Sequence, residues 1–68
     1  MMVKLGDKIK YRNLNTGTVQ KGYLQSEIGD MVGIGNHYLS WIKKKNIQII
    51  KEYDGKMKRF LGQDKEVL

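Results

Sequence analysis

Nucleophilic and metal chemistry need histidine, cysteine, serine or carboxylate groups at spacings that let them converge, and this sequence supplies few of them. It has one histidine, His37, and no cysteine. Ser26 and Ser40 stand outside any nucleophile motif. The carboxylates Asp7, Glu27, Asp30, Glu52, Asp54, Asp64 and Glu66 follow no metal-ligand spacing. His37 follows Asn36 in a turn-like stretch, where an exposed loop histidine is the expected reading. Gly33-Ile34-Gly35 lacks the later glycine and the following helix that a phosphate loop requires. This inventory argues against an enzyme, and no cofactor or metal is expected.

Positive charge is the one feature that points to a partner. The formal net charge is +6, from 13 basic and 7 acidic side chains. It is concentrated in one stretch: Lys43, Lys44, Lys45, Lys51, Lys56, Lys58 and Arg59 are accompanied there only by Glu52 and Asp54. A focused basic patch attracts nucleic acid or an acidic protein surface. Tyr53 is the aromatic embedded in that stretch, and aromatic residues among cations are what readers of unstacked bases use. Tyr11, Tyr23 and Tyr38 are further stacking candidates, with half-buried packing as the simpler account of each. Trp41, in the most apolar segment, is expected in the core.

The elements that must carry these residues are short. A chain of 68 residues makes one domain, and a domain of this size draws only about 3–5 kcal/mol from its core. No apolar run approaches a membrane span, and no signal peptide is evident, so a cytoplasmic protein without membrane contact is expected. Lysine-rich, A+T-type residue usage fits a bacterial or phage source.

Lys8-Ile9-Lys10-Tyr11-Arg12 alternates cation and apolar residue, the period-two pattern of a half-buried strand with Ile9 and Tyr11 inward. After a turn at 13–17, residues 18–25 form a second strand. Val19 and Leu24 cannot share one face of it, which predicts a bulge near Lys21-Gly22. Residues 31–35 make a third strand with Val32 and Ile34 on one face. Residues 38–42 make a fourth, 43–46 a single 3₁₀ turn, and 47–51 a fifth.

Gly6-Asp7-Lys8-Ile9, then Tyr38-Leu39-Ser40-Trp41-Ile42, a polar turn and Ile47-Gln48-Ile49 together resemble the SH3-like small β-barrels over about residues 6–51. The resemblance is one of strand lengths and turns. It implies an all-β fold of five short strands with a 3₁₀ turn before the fifth, and by itself no function.

The tail has two readings. Asp54-Gly55 is a two-residue hairpin signal that would add a sixth strand and place Lys51 opposite Lys58. Met57, Phe60 and Leu61 instead suit a short helix. The domain is expected to span 1–62, with 63–68 a frayed tail.

The expected function is a small binding module that engages nucleic-acid phosphates through Lys43, Lys44, Lys45, Lys51, Tyr53, Lys56, Lys58 and Arg59, with Lys8, Lys10 and Arg12 as an extension. The alternative is a protein–protein adaptor or inhibitor, of the kind mobile elements encode, working through the patch or an exposed strand edge. The same edge would serve a homodimer.

Overall fold

A computed structural model describes residues 3–56 and 66–68. Five antiparallel strands run through them: β1 (Asp7–Asn13), β2 (Val19–Ile28), β3 (Met31–Gly35), β4 (Leu39–Lys43) and β5 (Ile47–Lys56). A 3₁₀ turn, Lys44–Asn46, stands between β4 and β5. The strands form one sheet in the order β4-β3-β2-β1-β5. Each strand up to β4 pairs with the next in sequence, and β5 returns to the free side of β1. The all-β class, the five strands and the 3₁₀ turn before the last are as the sequence predicts.

Alternation along these strands builds the core. Ile9 and Tyr11 from β1, Leu24 from β2, Val32 and Ile34 from β3 and Ile42 from β4 are buried together, with Val3 and Val67 closing the cluster. Leu5, Ile47, Ile49 and Leu68 pack against it while partly exposed.

Strand parity overturns the expectation for Trp41. In β4 the inward position is Ile42, and its neighbour Trp41 must point the other way. Trp41 stands 43% exposed, and its ring lies over Gly33, its partner on β3.

The bulge falls elsewhere than predicted. β1 and β2 pair without a slip from Lys8↔Tyr23 to Arg12↔Val19, so Lys21-Gly22 is regular. Val19 faces outward with Lys21 and Tyr23, while Gly22 and Leu24 face inward. The irregularity is on the β3 side, where Leu24 pairs with Ile34 and Ser26 with Gly33, leaving Gln25 extra. Gln25 Nε2 donates to the carbonyls of Gly35 (2.8 Å) and Asn36 (3.0 Å), which ties the bulge to the β3–β4 turn. A bulge of this kind bends the strand and sharpens its twist.

The Asp54-Gly55 hairpin is a third correction. Both residues lie inside β5, which continues to Lys56 opposite Asp7. The β1–β5 register slips twice, once between Asp7 and Ile9 and once between Lys10 and Tyr11. The first slip absorbs Tyr53, Asp54 and Gly55 opposite Lys8, so a stretch that reads locally as a turn serves as an irregular strand. The second leaves Ile50 unpaired and 45% exposed. The predicted strand or helix at 57–61 lies outside the described residues.

Residues 66–68, expected in the frayed tail, are held to the N-terminal segment. Lys4 and Glu66 form a bridge. The Val3 N–H donates to the Leu68 carbonyl (2.9 Å) and the Val67 N–H to the Val3 carbonyl (2.7 Å). Val67 is thereby buried at 8% exposure.

Tyr11 links this core to pH. It is 2% exposed, and its hydroxyl donates to Gln20 Oε1 at 3.2 Å. Burial raises its pKa above the ordinary tyrosine value, because phenolate would lose its hydration. A folded-state pKa above the unfolded one means that the unfolded chain releases its proton first as pH rises. Stability from this group is therefore intact below the unfolded pKa of about 10 and is lost progressively above it. Urea midpoints measured across that alkaline range should fall for the wild type, and Tyr11→Phe should flatten the decline. An equally steep decline in the Phe variant would assign the effect to other groups.

Candidate functional site

The outer face of β1 carries Lys8, Lys10 and Arg12, the positions opposite in parity to buried Ile9 and Tyr11. Register brings further residues onto that face. Lys10 pairs with Lys21 on β2 and with Lys51 on β5, so three lysines stand in one row across three strands. With strands spaced about 4.8 Å apart, the row is roughly 10 Å long at the backbone. Lys8 pairs with Tyr23, and Arg12 with Val19 on one side and Gln48 on the other.

Directly opposed like charges in a sheet normally destabilise it by a few tenths of a kcal/mol, so the row needs compensation. Tyr53 supplies part of it. Held in the irregular stretch of β5, its ring reaches across β1, with the Nζ atoms of Lys51 (4.9 Å), Lys8 (5.4 Å) and Lys21 (5.9 Å) all near its centroid. Lys8 also lies 5.8 Å from the Tyr23 ring. The negative π-face attracts each ammonium by about 0.5–1 kcal/mol at an exposed site. Among the described residues none of Lys8, Lys10, Arg12, Lys21 and Lys51 forms an ion pair. Five cations and two half-buried tyrosines thus share one face, with no carboxylate among the described residues paired to them.

The patch drawn from sequence divides in the fold. Lys51 and Tyr53 join the β1–β2 cations, with Lys8, Lys10 and Arg12 at the centre. Lys44 leaves the patch: its ammonium pairs with the Glu27 carboxylate, and its N–H donates to the Asp30 carbonyl at 2.8 Å. Lys43 and Lys45 are exposed at the far end of β4 and in the 3₁₀ turn. Lys56 ends β5 opposite Asp7. Lys58 and Arg59 lie outside the described residues. Of the tyrosines, Tyr11 is core and Tyr38 is 91% exposed in the β3–β4 turn.

No family model, curated protein or solved structure matches this chain. Its function must therefore be argued from the site itself.

Lys21 is the residue sequence reasoning missed. Its membership of the face follows from the β1–β2 register, which the sequence signals only through the parity of Lys21 and Tyr23. Among the described residues no three of His, Cys, Asp or Glu are grouped to hold a metal.

Proposed function

We propose that this chain is a small non-enzymatic module that binds nucleic acid through its phosphate backbone, on the outer face of β2, β1 and β5. The observation that carries the reading is the Lys21–Lys10–Lys51 row, with the ammonium groups of Lys8, Lys21 and Lys51 gathered on the Tyr53 ring. Unpaired cations held in a fixed row gain most from a polyanion, since phosphates relieve their mutual repulsion and release condensed counterions. Such contacts give affinity and orientation without sequence readout. The adjoining tyrosines favour nucleic acid over an acidic protein, because a base can stack where a carboxylate gains nothing from a π-face.

The strand order β4-β3-β2-β1-β5 and the 3₁₀ turn before the last strand support the finer fold reading, an SH3-like barrel. The fold lends the function no support of its own.

Fluorescence anisotropy with labelled single-stranded DNA, single-stranded RNA and duplex DNA tests the proposal. Binding is expected at ~50 mM salt, with log K falling by about 0.7 per phosphate neutralised on a single strand and about 0.9 on a duplex. Five contacts would give slopes of about −3.5 and −4.5. No complex with any of the three at that salt would end this reading. A protein partner captured from lysate that survives nuclease would replace it with the adaptor.

A further inference from the structure

Next to the cationic face is a second feature that phosphate binding leaves unused. The β1–β2 turn, the end of β4 and the 3₁₀ turn enclose a cleft of about 470 Å³. Trp41, Asn13, Asn15, Asn46, Lys43 and Lys45 are among the residues that line it. Its size falls within the range of small-molecule sites. Its lining, unlike most, is polar around a single large aromatic ring.

Two observations indicate that the cleft is fitted for a ligand. The first is the placement of Trp41. A tryptophan 43% exposed leaves apolar surface in water, and its ring packs beside Gly33, whose Cβ position lies 3.4 Å from ring atoms Cζ2 and Cη2. The second is the state of the amides. Asn13 Oδ1 accepts from the Asn15 N–H at 2.9 Å, which shapes the turn, and the Leu14 N–H donates to the Asn46 carbonyl at 2.7 Å. The Asn13 Nδ2 and the side-chain amides of Asn15 and Asn46 make no hydrogen bond among the described residues. They are positioned by their backbones and left with donors and acceptors to offer.

A flat aromatic wall, unspent amides and flanking ammonium groups match one ligand chemistry closely. A nucleobase stacks on the ring, its edge exchanges donor and acceptor pairs with amides, and its phosphates meet the lysines. We infer that the Trp41 cleft holds one unstacked base of a single-stranded nucleic acid. The inference rests on the phosphate-binding reading above and extends it. Asn13 follows Arg12 at the end of β1 with its side chain on the opposite face, so a strand lying along the cationic face must turn round the end of β1 to enter the cleft. Single strands, whose bases are free to splay, would then bind better than duplex of equal charge.

Trp41 is the sole tryptophan, so its emission reports on this cleft alone. An oligothymidylate and an abasic oligomer with the same number of phosphates are titrated against the full chain, following tryptophan emission and, with labelled strands, anisotropy. Both are expected to bind, the oligothymidylate roughly 5- to 150-fold more tightly. Only the oligothymidylate should quench Trp41.

Trp41→Ala and Asn46→Ala, each checked for native circular dichroism, should bring the oligothymidylate towards the abasic affinity. Asn46→Ala keeps the backbone bond to Leu14 and guards against a Trp41 variant that fails to fold. If both oligomers bind alike and neither quenches Trp41 differently, the base site is overturned while phosphate binding stands. If neither binds, phosphate binding fails and the base site falls with it.

Discussion

Replacing Lys10, Lys21 and Lys51 together by alanine is expected to weaken binding of a single strand about 100-fold at 0.1 M salt while leaving the fold intact. The size follows from counterion release. Each phosphate contact changes log K by about 0.7 per decade of salt, so it is worth about fivefold between 1 M and 0.1 M, and three such contacts multiply to about 100-fold. The salt slope should also become shallower by about 2.

Stability should stay within about 1 kcal/mol of wild type, because two effects oppose each other. Alanine removes the repulsion of Lys10 with its neighbours on both strands. It also removes the attraction of Lys21 and Lys51 to the Tyr53 ring. Lys44→Ala is the single-charge control: it removes one of the lysines, from a side chain committed to Glu27, and should change affinity little. A loss in log K for the control of about one third that of the triple variant would show that net charge, and not the row, governs affinity. An unchanged salt slope in the triple variant would remove the row from the interface altogether.

The contrast between these variants shows what a sequence can and cannot disclose about such a site. Charge alternation at Lys8, Lys10 and Arg12 is a property of one strand, and so is its consequence that Ile9 and Tyr11 turn inward. The turn at 13–17 is equally local, which is why the succession of five strands and the 3₁₀ turn was legible. Grouping cations by nearness in sequence, however, joined Lys43–Lys45 to Lys51, whereas the sheet joins Lys51 to Lys10 and Lys21 through a ladder.

Ladder partners depend on register, and register here depends on where extra residues are absorbed. The chain absorbs them at Gln25 in β2, and at Ile50 and the Tyr53–Gly55 stretch in β5. None of these carries an unambiguous local mark. Asp54-Gly55 carries a misleading one: the stretch is absorbed in a register slip opposite Lys8 while β5 runs on to pair Lys56 with Asp7. Trp41 failed for a related reason. Size argued for burial, but parity against Ile42 decided.

The same dependence on close strand contacts gives the second large effect. Gly35→Ala is expected to destabilise the domain by about 3 kcal/mol or more, at the upper end of what overpacking costs. A Cβ at Gly35 would overlap the carbonyl oxygen of Tyr38 and press on the Tyr38 carbonyl carbon at 3.0 Å. Both are backbone atoms of the β3–β4 turn, so no side-chain rotation relieves the clash. The turn itself must open.

Opening it moves the carbonyls of Gly35 and Asn36, the two acceptors of Gln25 Nε2, so the bulge of β2 loses its tether as well. It also disturbs Gly22, whose own Cβ position lies 2.9 Å from Gly35 Cα, on the strand that carries Leu24 into the core. In a domain whose whole margin is about 3–5 kcal/mol, such a change should leave a large unfolded fraction in water. Gly29→Ala is the comparison. Gly29 has φ 59° and nothing within 4 Å of a Cβ, so only backbone strain of about 1–2 kcal/mol is at stake. Urea unfolding followed by Trp41 emission should rank the two variants in that order. If Gly35→Ala were the milder of the two, the close approach of the β3–β4 turn would be ruled out as a source of stability.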